Sequence, residues 1–265
     1  MSEIIYGMPA EEYHKIDALS ASTAKILLRS PAHFLAQKES PREPSPQMRF
    51  GTLVHAMVLE PETVDRDFAA VAKVDRRTKE GKAAAEAFEL ANLGKTVVDM
   101  DQFQRAQRVK QAGDMHPIAN MLFKDGKAEA TLLWEQYGIP CKARFDYLRS
   151  SDIVDLKTAQ DASAEGFSRA IATYQYHMQA AHYAEGLKAC SGWEMDNFFF
   201  VAVETDAPFN IGIYNIDQTA MQVGRELMRK ASIAYKLAQD AESWHGYEPS
   251  IQTLGLPKWA MPSDI

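Results

Sequence analysis

The chain has 265 residues, 46% hydrophobic and 25% charged, which is enough apolar material for a sizeable core and argues against wholesale disorder. A net charge of -7 excludes a protein that coats nucleic acid over its whole surface, although a locally basic channel remains compatible with it. Cys141 and Cys190 have no metal-ligand spacing and read as reduced structural residues. The opening MSEIIYGMPAEEYHK has neither the basic nor the apolar region of a secretory leader. No stretch approaches the roughly 18 apolar residues that a membrane helix needs, so the expectation is a cytoplasmic protein with no membrane partner.

In LSASTAKILLRSPAHFLAQ, Ser20 or Ser22 is a candidate N-cap for a helix of apolar period, and Pro31 separates it from a second short helix. Residues 37 to 47 are polar with three prolines and read as a loop. RFGTLVHAMVLEPE then gives a helix with Thr52, His55, Ala56 and Leu59 on one face, ending before Pro61. Residues 62 to 127 read as mixed helix and loop, with helices from Glu80 to Leu93 and from Asp101 to Met115. Between Glu129 and Lys157 the period changes to two. ATLLWEQY, CKARFDYL and IVDLKT, separated by turn residues, predict a three-strand antiparallel meander. One long helix is expected from Ser163 to Ala189. NFFFVAVET and FNIGIYNI form a further hairpin, and an amphipathic helix runs from Asp217 to Trp244. The order gives an α/β or α+β core with a central mixed sheet flanked by helices and a helical N-terminal cap. The whole chain is read as one domain: a mainly helical part over 1–127, a sheet and helix core over 128–245, and an irregular tail over 246–265.

Within the meander, RFDYLRSSDIVDLKT carries charge where a strand should be apolar. Residues two apart in a strand share a face, so Asp155 and Lys157 project together while Val154 and Leu156 project the other way. Pairing with the preceding strand brings Asp146 near Asp155, and two close carboxylates repel unless a proton or a cation lies between them. A hard divalent cation such as Mg²⁺ answers that repulsion, with the lysine beside it stabilising charge on a phosphate. Taken locally, the same residues also read as a same-face ion pair at a sheet edge. His177 and His182, five apart on a helix, do not make a zinc pair. The run from Phe198 to Phe200 reads as sheet core.

The set as a whole resembles the PD-(D/E)XK nuclease superfamily. In order it has LSASTAKILLRSPAHF, Gly51-Thr-Leu-Val-His55, Asp146, Asp155-Leu156-Lys157 and Gln179-Ala-Ala-His-Tyr183. These follow the pattern of the RecB-like branch, with Phe145 where the name-giving proline stands. The GTLVHAMVLEP element, the short spacing from Asp146 to Asp155 and the YQYHMQAAHY helix are most similar to RecE (exonuclease VIII) type nuclease domains.

That resemblance implies a 5′ to 3′ exonuclease acting on double-stranded DNA ends and leaving 3′ tails for a RecT-like annealing protein. It also implies a bacterial host cell and a ring-shaped tetramer. His55, Asp146, Asp155 and the Leu156 carbonyl would hold Mg²⁺ or Mn²⁺, two ions in the catalytic complex, with Glu129 a further candidate. Lys157 would be the catalytic lysine, and Gln179 and Tyr183 would line the site and meet the DNA backbone. Phosphate contacts are expected from Arg49, Lys142, Arg144, Arg76 and Arg77, without sequence reading. Two other readings stay open: a RecB-like single-strand or structure-specific endonuclease, and a catalytically silent DNA-end-binding module.

Overall fold

In the computed structural model, which describes residues 2–41, 43–72, 77–257 and 260, the period-two segment becomes the middle of a six-stranded sheet. Ahead of it come β1 (Glu3–Ile5), α1 (Ala10–Lys15), α2 (Ala21–Arg29), α3 (Pro31–Glu39), α4 (Pro46–Leu59), α5 (Val64–Asp67), β2 (Phe68–Val71), α6 (Lys79–Ala91), β3 (Thr96–Asp99), α7 (Met100–Met115) and α8 (Pro117–Leu122). The meander is β4 (Lys127–Gln136), β5 (Ile139–Arg149) and β6 (Asp152–Ala159). After it follow α9 (Ala164–Thr173), α10 (Tyr176–Ser191), β7 (Phe198–Glu204), β8 (Ile211–Asn215) and α11 (Gln218–Asp240). The spatial order is β1-β4-β5-β6-β7-β8, antiparallel throughout except for β6 and β7, which α9 and α10 connect as a parallel crossover.

Local chemistry accounts for the element ends. Ser20 closes a capping box at the start of α2, and Ser45 caps α4 with Pro46 in its first turn. β4 and β5 are joined by the two residues Tyr137 and Gly138, both at positive φ, the turn geometry that matches strand twist. Ile139 and Pro140 therefore belong to β5 rather than to the turn. The expected single helix from 163 to 189 is two helices. The break falls at Tyr174 and Gln175, where Gln175 takes a left-handed φ of 52° that a continuing helix cannot contain. Residues 62 to 127 hold a small parallel sheet of β2 and β3, four residues each, too short for a periodic signal.

The large sheet separates two cores. On one face Leu27, Phe145, Ile153, Phe167, Met178, Leu187, Phe198 and Phe200 pack among α2, α10 and α11. On the other Leu53, Val54, Val109, Leu122, Val154, Leu156 and Val201 pack among α4, α7 and α8. β6 lies between β5 and β7, so the idea that Asp155 and Lys157 mark a sheet edge gives way to a central strand.

β5 and β6 pair over three residues only, Tyr147 to Arg149 with Val154 to Asp152. Beyond that the strands part, and side chains take over the main-chain groups that a continued ladder would have satisfied. The Asp146 carboxylate accepts from the Leu156 N–H at 2.7 Å. Tyr183 donates its hydroxyl to the Arg144 carbonyl at 2.7 Å, and His182 Nε2 donates to the Lys142 carbonyl at 3.0 Å. Leu19, leading into α2, bridges Pro140 and Lys142 by its own carbonyl and N–H. The result is a fork in the middle of the sheet, braced on one side by α10 and α2. Tyr183→Phe removes a buried donor and leaves the Arg144 carbonyl without it. Urea denaturation should show a loss of about 1–3 kcal/mol with an unchanged m-value; a midpoint equal to wild type would mean that the fork does not need this brace.

Candidate active site

The fork brings together residues that the sequence spreads over more than a hundred positions. His55, from α4, faces it with Nδ1 at 3.6 Å from Asp146 Oδ2. Glu129, in β4 opposite Asp146, sits at a φ of 51°. One ligand atom from each of His55, Glu129 and Asp146 falls within 4.8 Å of the others, and all three side chains are partly buried. The Leu156 N–H points into the fork, and in an extended strand the carbonyl of the same residue points to the same edge. The His55 ring lies within hydrogen-bonding reach of the Leu156 backbone.

Asp155 is fully buried on the other side of β6, with Oδ1 accepting from Gln179 Nε2 at 2.7 Å. Its Oδ2 is in ion-pair contact with the Lys157 ammonium. Lys157 also lies over the Tyr176 ring, 5.0 Å from its centroid. Burial works against the lysine's charge, but Asp155 and Asp146 together outweigh it and raise its pKa, so Lys157 is an ammonium.

The carboxylates show the opposite strain. Burial, then the charge of Asp155, pushes Asp146 up to about 8. Burial and the neighbouring Asp146 raise Glu129 as well, against the opposing pull of Arg144. Burial, followed by Lys157, lowers His55, keeping its imidazole neutral and able to ligate. Two carboxyls raised by burial and by neighbouring negative charge, beside a neutral imidazole, fit a divalent cation of hard or borderline character. His55, Glu129 and Asp146 are the residues close enough together to hold it, with the Leu156 carbonyl and the Asp155 carboxylate as the further oxygens near them.

The other expected contacts are placed differently. Lys142 is buried, and its ammonium donates to the Tyr13 and Ile16 carbonyls at 2.9 and 2.8 Å, tying the N-terminal segment to β5 rather than facing a phosphate. Arg144 likewise turns inward, pairing with Glu129 and donating to the Met8 carbonyl at 3.0 Å. Tyr183 is buried with its ring 4.7 Å from that of Phe145, so it supports the fork from behind instead of lining its mouth. Arg49 is half-buried in the first turn of α4, Arg77 borders α6, and Arg76 lies outside the described residues. Lys25 was not expected at all. It reaches from α2 to lie 5.6 Å from the centroid of the Tyr176 ring that Lys157 also covers. Its position in LSASTAKILL gives no signal beyond an ordinary polar helix residue.

A mixed sheet forked at a D…D-x-K strand pair and flanked by helices defines the PD-(D/E)XK nuclease fold. The chain belongs to the family described as a PDDEXK-like domain of unknown function (DUF3799), whose model matches residues 20–252. Among solved structures it is similar to a chain from Eubacterium rectale described as a "putative exonuclease", at 14% identity and a TM-score of 0.66, covering 96% of each chain. The chain named SSO0001 overlaps at 15% identity over 72% of this chain and 87% of that one, with a TM-score of 0.31. No curated protein matches. Among the described residues, no helix is long and apolar enough to cross a membrane.

The raised pKa of Asp146 has a stability consequence of fixed sign. The folded, metal-free protein keeps a proton that the unfolded chain releases near the ordinary value of 3.8, so stability falls as pH rises from there to about 8. Asp146→Asn has no such proton to lose. At pH 8 it should melt above wild type in EDTA and lose the rise in melting temperature that Mn²⁺ gives wild type. Equal metal responses in the two proteins would remove Asp146 from the metal site.

Proposed function

We propose that the protein is a divalent-metal-dependent exonuclease that digests double-stranded DNA from 5′ ends and leaves 3′ single-stranded tails for an annealing partner of the RecT type. The observation that carries the phosphodiesterase part is the fork itself: two carboxylates, a neutral histidine and an ammonium gathered where strand pairing stops. The resemblance of the five motifs to RecE-like domains supports the exonucleolytic direction and assembly as a ring around DNA. The cytoplasm of a bacterial cell follows from the same reading.

Bound divalent cations, one or two, would supply Lewis acidity and an activated water for in-line attack on the scissile phosphorus. The chain supplies the rest. Asp146, fixed by the Leu156 N–H, and Asp155, fixed by Gln179, present oxygens in set directions, so little reorganisation accompanies the reaction. Lys157, held charged by Asp155 and Asp146, offers its ammonium to the phosphate as negative charge grows there. Asp155 accepts from Gln179, whose side chain also reaches the Tyr183 hydroxyl; that hydroxyl ends on the Arg144 carbonyl. Loosening α10 therefore disturbs the Asp155 carboxylate.

Linear duplexes labelled at the 5′ or the 3′ end, incubated with Mg²⁺ or Mn²⁺, test the reading. Wild type should release 5′ label as short products, leave covalently closed circles intact, and lose activity in EDTA. Lys157→Ala should turn over about 10²–10³ times more slowly, the cost of removing one donor to a developing oxyanion. Cutting of closed circles would favour the endonuclease reading. Metal-dependent cleavage unchanged in Lys157→Ala would displace the site.

A further inference from the structure

A cleft of about 640 Å³ opens beside the fork, and Thr158, the residue after Lys157, is part of its wall. That volume lies within the range of about 300–1,000 Å³ typical of pockets for small organic ligands. Tyr176 joins the cleft to the active site, since its ring lies under Lys157 and also lines the cleft. Next to it stands Tyr174, whose ring is stacked on that of Tyr176 with centroids 5.6 Å apart and planes 29° from parallel. Behind them the rings of Phe167 and Phe200 meet Tyr176 at 6.1 and 5.9 Å, so the outer tyrosine rests on a column anchored in the core. Tyr174 is nonetheless 60% exposed, a large aromatic surface at the mouth of a cleft. Its backbone is fixed at the break between α9 and α10, and the Lys25 ammonium donates to its carbonyl at 2.7 Å.

The cations that line this cleft, Arg105 and Arg169, differ from Lys25, which lies beside it against Tyr174 and Tyr176. Arg105 packs over the Phe50 ring at 4.5 Å and pairs with Asp206 at 3.1 Å, and Arg169 pairs with Glu165 at 2.7 Å. For Lys25, among the described residues, there is no carboxylate within ion-pair distance. Instead it shares the Tyr176 ring with Lys157, and burial followed by repulsion from Lys157 lowers its pKa to about 8. Two ammonium groups gathered on one ring beside a phosphodiesterase-like centre are in the charge state that an anion between them would stabilise.

From these juxtapositions we infer that Tyr174 and Lys25 form a subsite for one unpaired nucleotide of the DNA end, with the Tyr174 ring stacking on the base and the Lys25 ammonium contacting the phosphate next to the scissile one. The inference rests on the nuclease reading and adds to it the state of the substrate. The terminal base pair is opened before cleavage, and the freed base leaves the duplex stack for a protein ring. Stacking of this kind is tolerant of sequence because every base has a π face. It suits an enzyme that must proceed along any duplex. The Lys25 contact positions the strand without reading it.

Each residue has its own readout, and neither requires turnover. Duplexes with 2-aminopurine at the 5′-terminal position, bound with Ca²⁺ in place of Mg²⁺, report stacking as a fluorescence change and affinity by titration. Wild type and Tyr174→Phe should show the same stacking signal. Tyr174→Ala should lose it and bind a 5′-overhanging end about 5- to 150-fold more weakly, with an unaltered salt dependence. Lys25→Gln should keep the stacking signal but lower the slope of log affinity against log salt by about 0.7–0.9, one phosphate contact, with Lys25→Arg restoring it. Unchanged stacking and affinity in Tyr174→Ala, or an unchanged salt slope in Lys25→Gln, would overturn the subsite even if wild type digests DNA. If wild type cuts no DNA with any divalent cation but the two signals behave as described, the subsite stands and the nuclease reading fails.

Discussion

The hydrogen bond from the Leu156 N–H to the Asp146 carboxylate is the point on which the architecture turns. A sheet normally satisfies its main chain with main chain, strand after strand. Here the ladder between β5 and β6 stops after three pairs, and a side chain supplies the next acceptor. Ending the ladder in that way keeps a buried N–H satisfied and still opens a gap in the middle of the sheet. It also holds an acidic group in a region whose low polarity raises its pKa, so the same bond that completes the fold creates the electrostatic tension of the site. His55 and Glu129 approach from α4 and β4 into that gap, and the brace formed by Tyr183, His182 and Leu19 keeps β5 from closing it.

Much of this was legible in the sequence, for reasons that differ by element. The meander was visible because alternation over 127 to 159 is long and its turns are tight. α4 and α11 were visible because side chains recur along both at helical spacing, although the cap of α4 at Ser45 lies in a segment that reads as loop. The placing of His55, Asp146, Asp155 and Lys157 around one site depended on recognising five motifs in order, since local reading of Asp155 and Lys157 favours an ion pair. β1, β2 and β3 were missed because strands of three or four residues have no period to read. The break at Gln175 was missed because neither a glycine nor a proline marks it, and the left-handed φ falls on a glutamine.

The basic residues were the least legible. A lysine or arginine in a strand has the same letter whether its charge meets a phosphate or a carbonyl. Lys142 and Arg144 satisfy the N-terminal segment, which lies far away in sequence, and Arg144 also pairs with Glu129 on the neighbouring strand. The fork asks for this arrangement. A carboxylate at Glu129 close to Asp146 is tolerable in the metal-free protein when a guanidinium shares it, so Arg144 acts as a resident counter-charge. Lys25, which gave no signal as part of a helix, carries the unbalanced charge near the cleft instead.

The Leu156 amide has one further property. In most of the sheet an amide proton reports on its neighbouring strand and is silent about chemistry. This one is bonded to a carboxylate that gains or loses a proton and is a candidate ligand for metal, so its electronic surroundings change with each of those events. Its nuclear magnetic resonance therefore serves as a spectroscopic probe inside the site, following the ionisation and loading of Asp146 without an added label at the centre and without substrate.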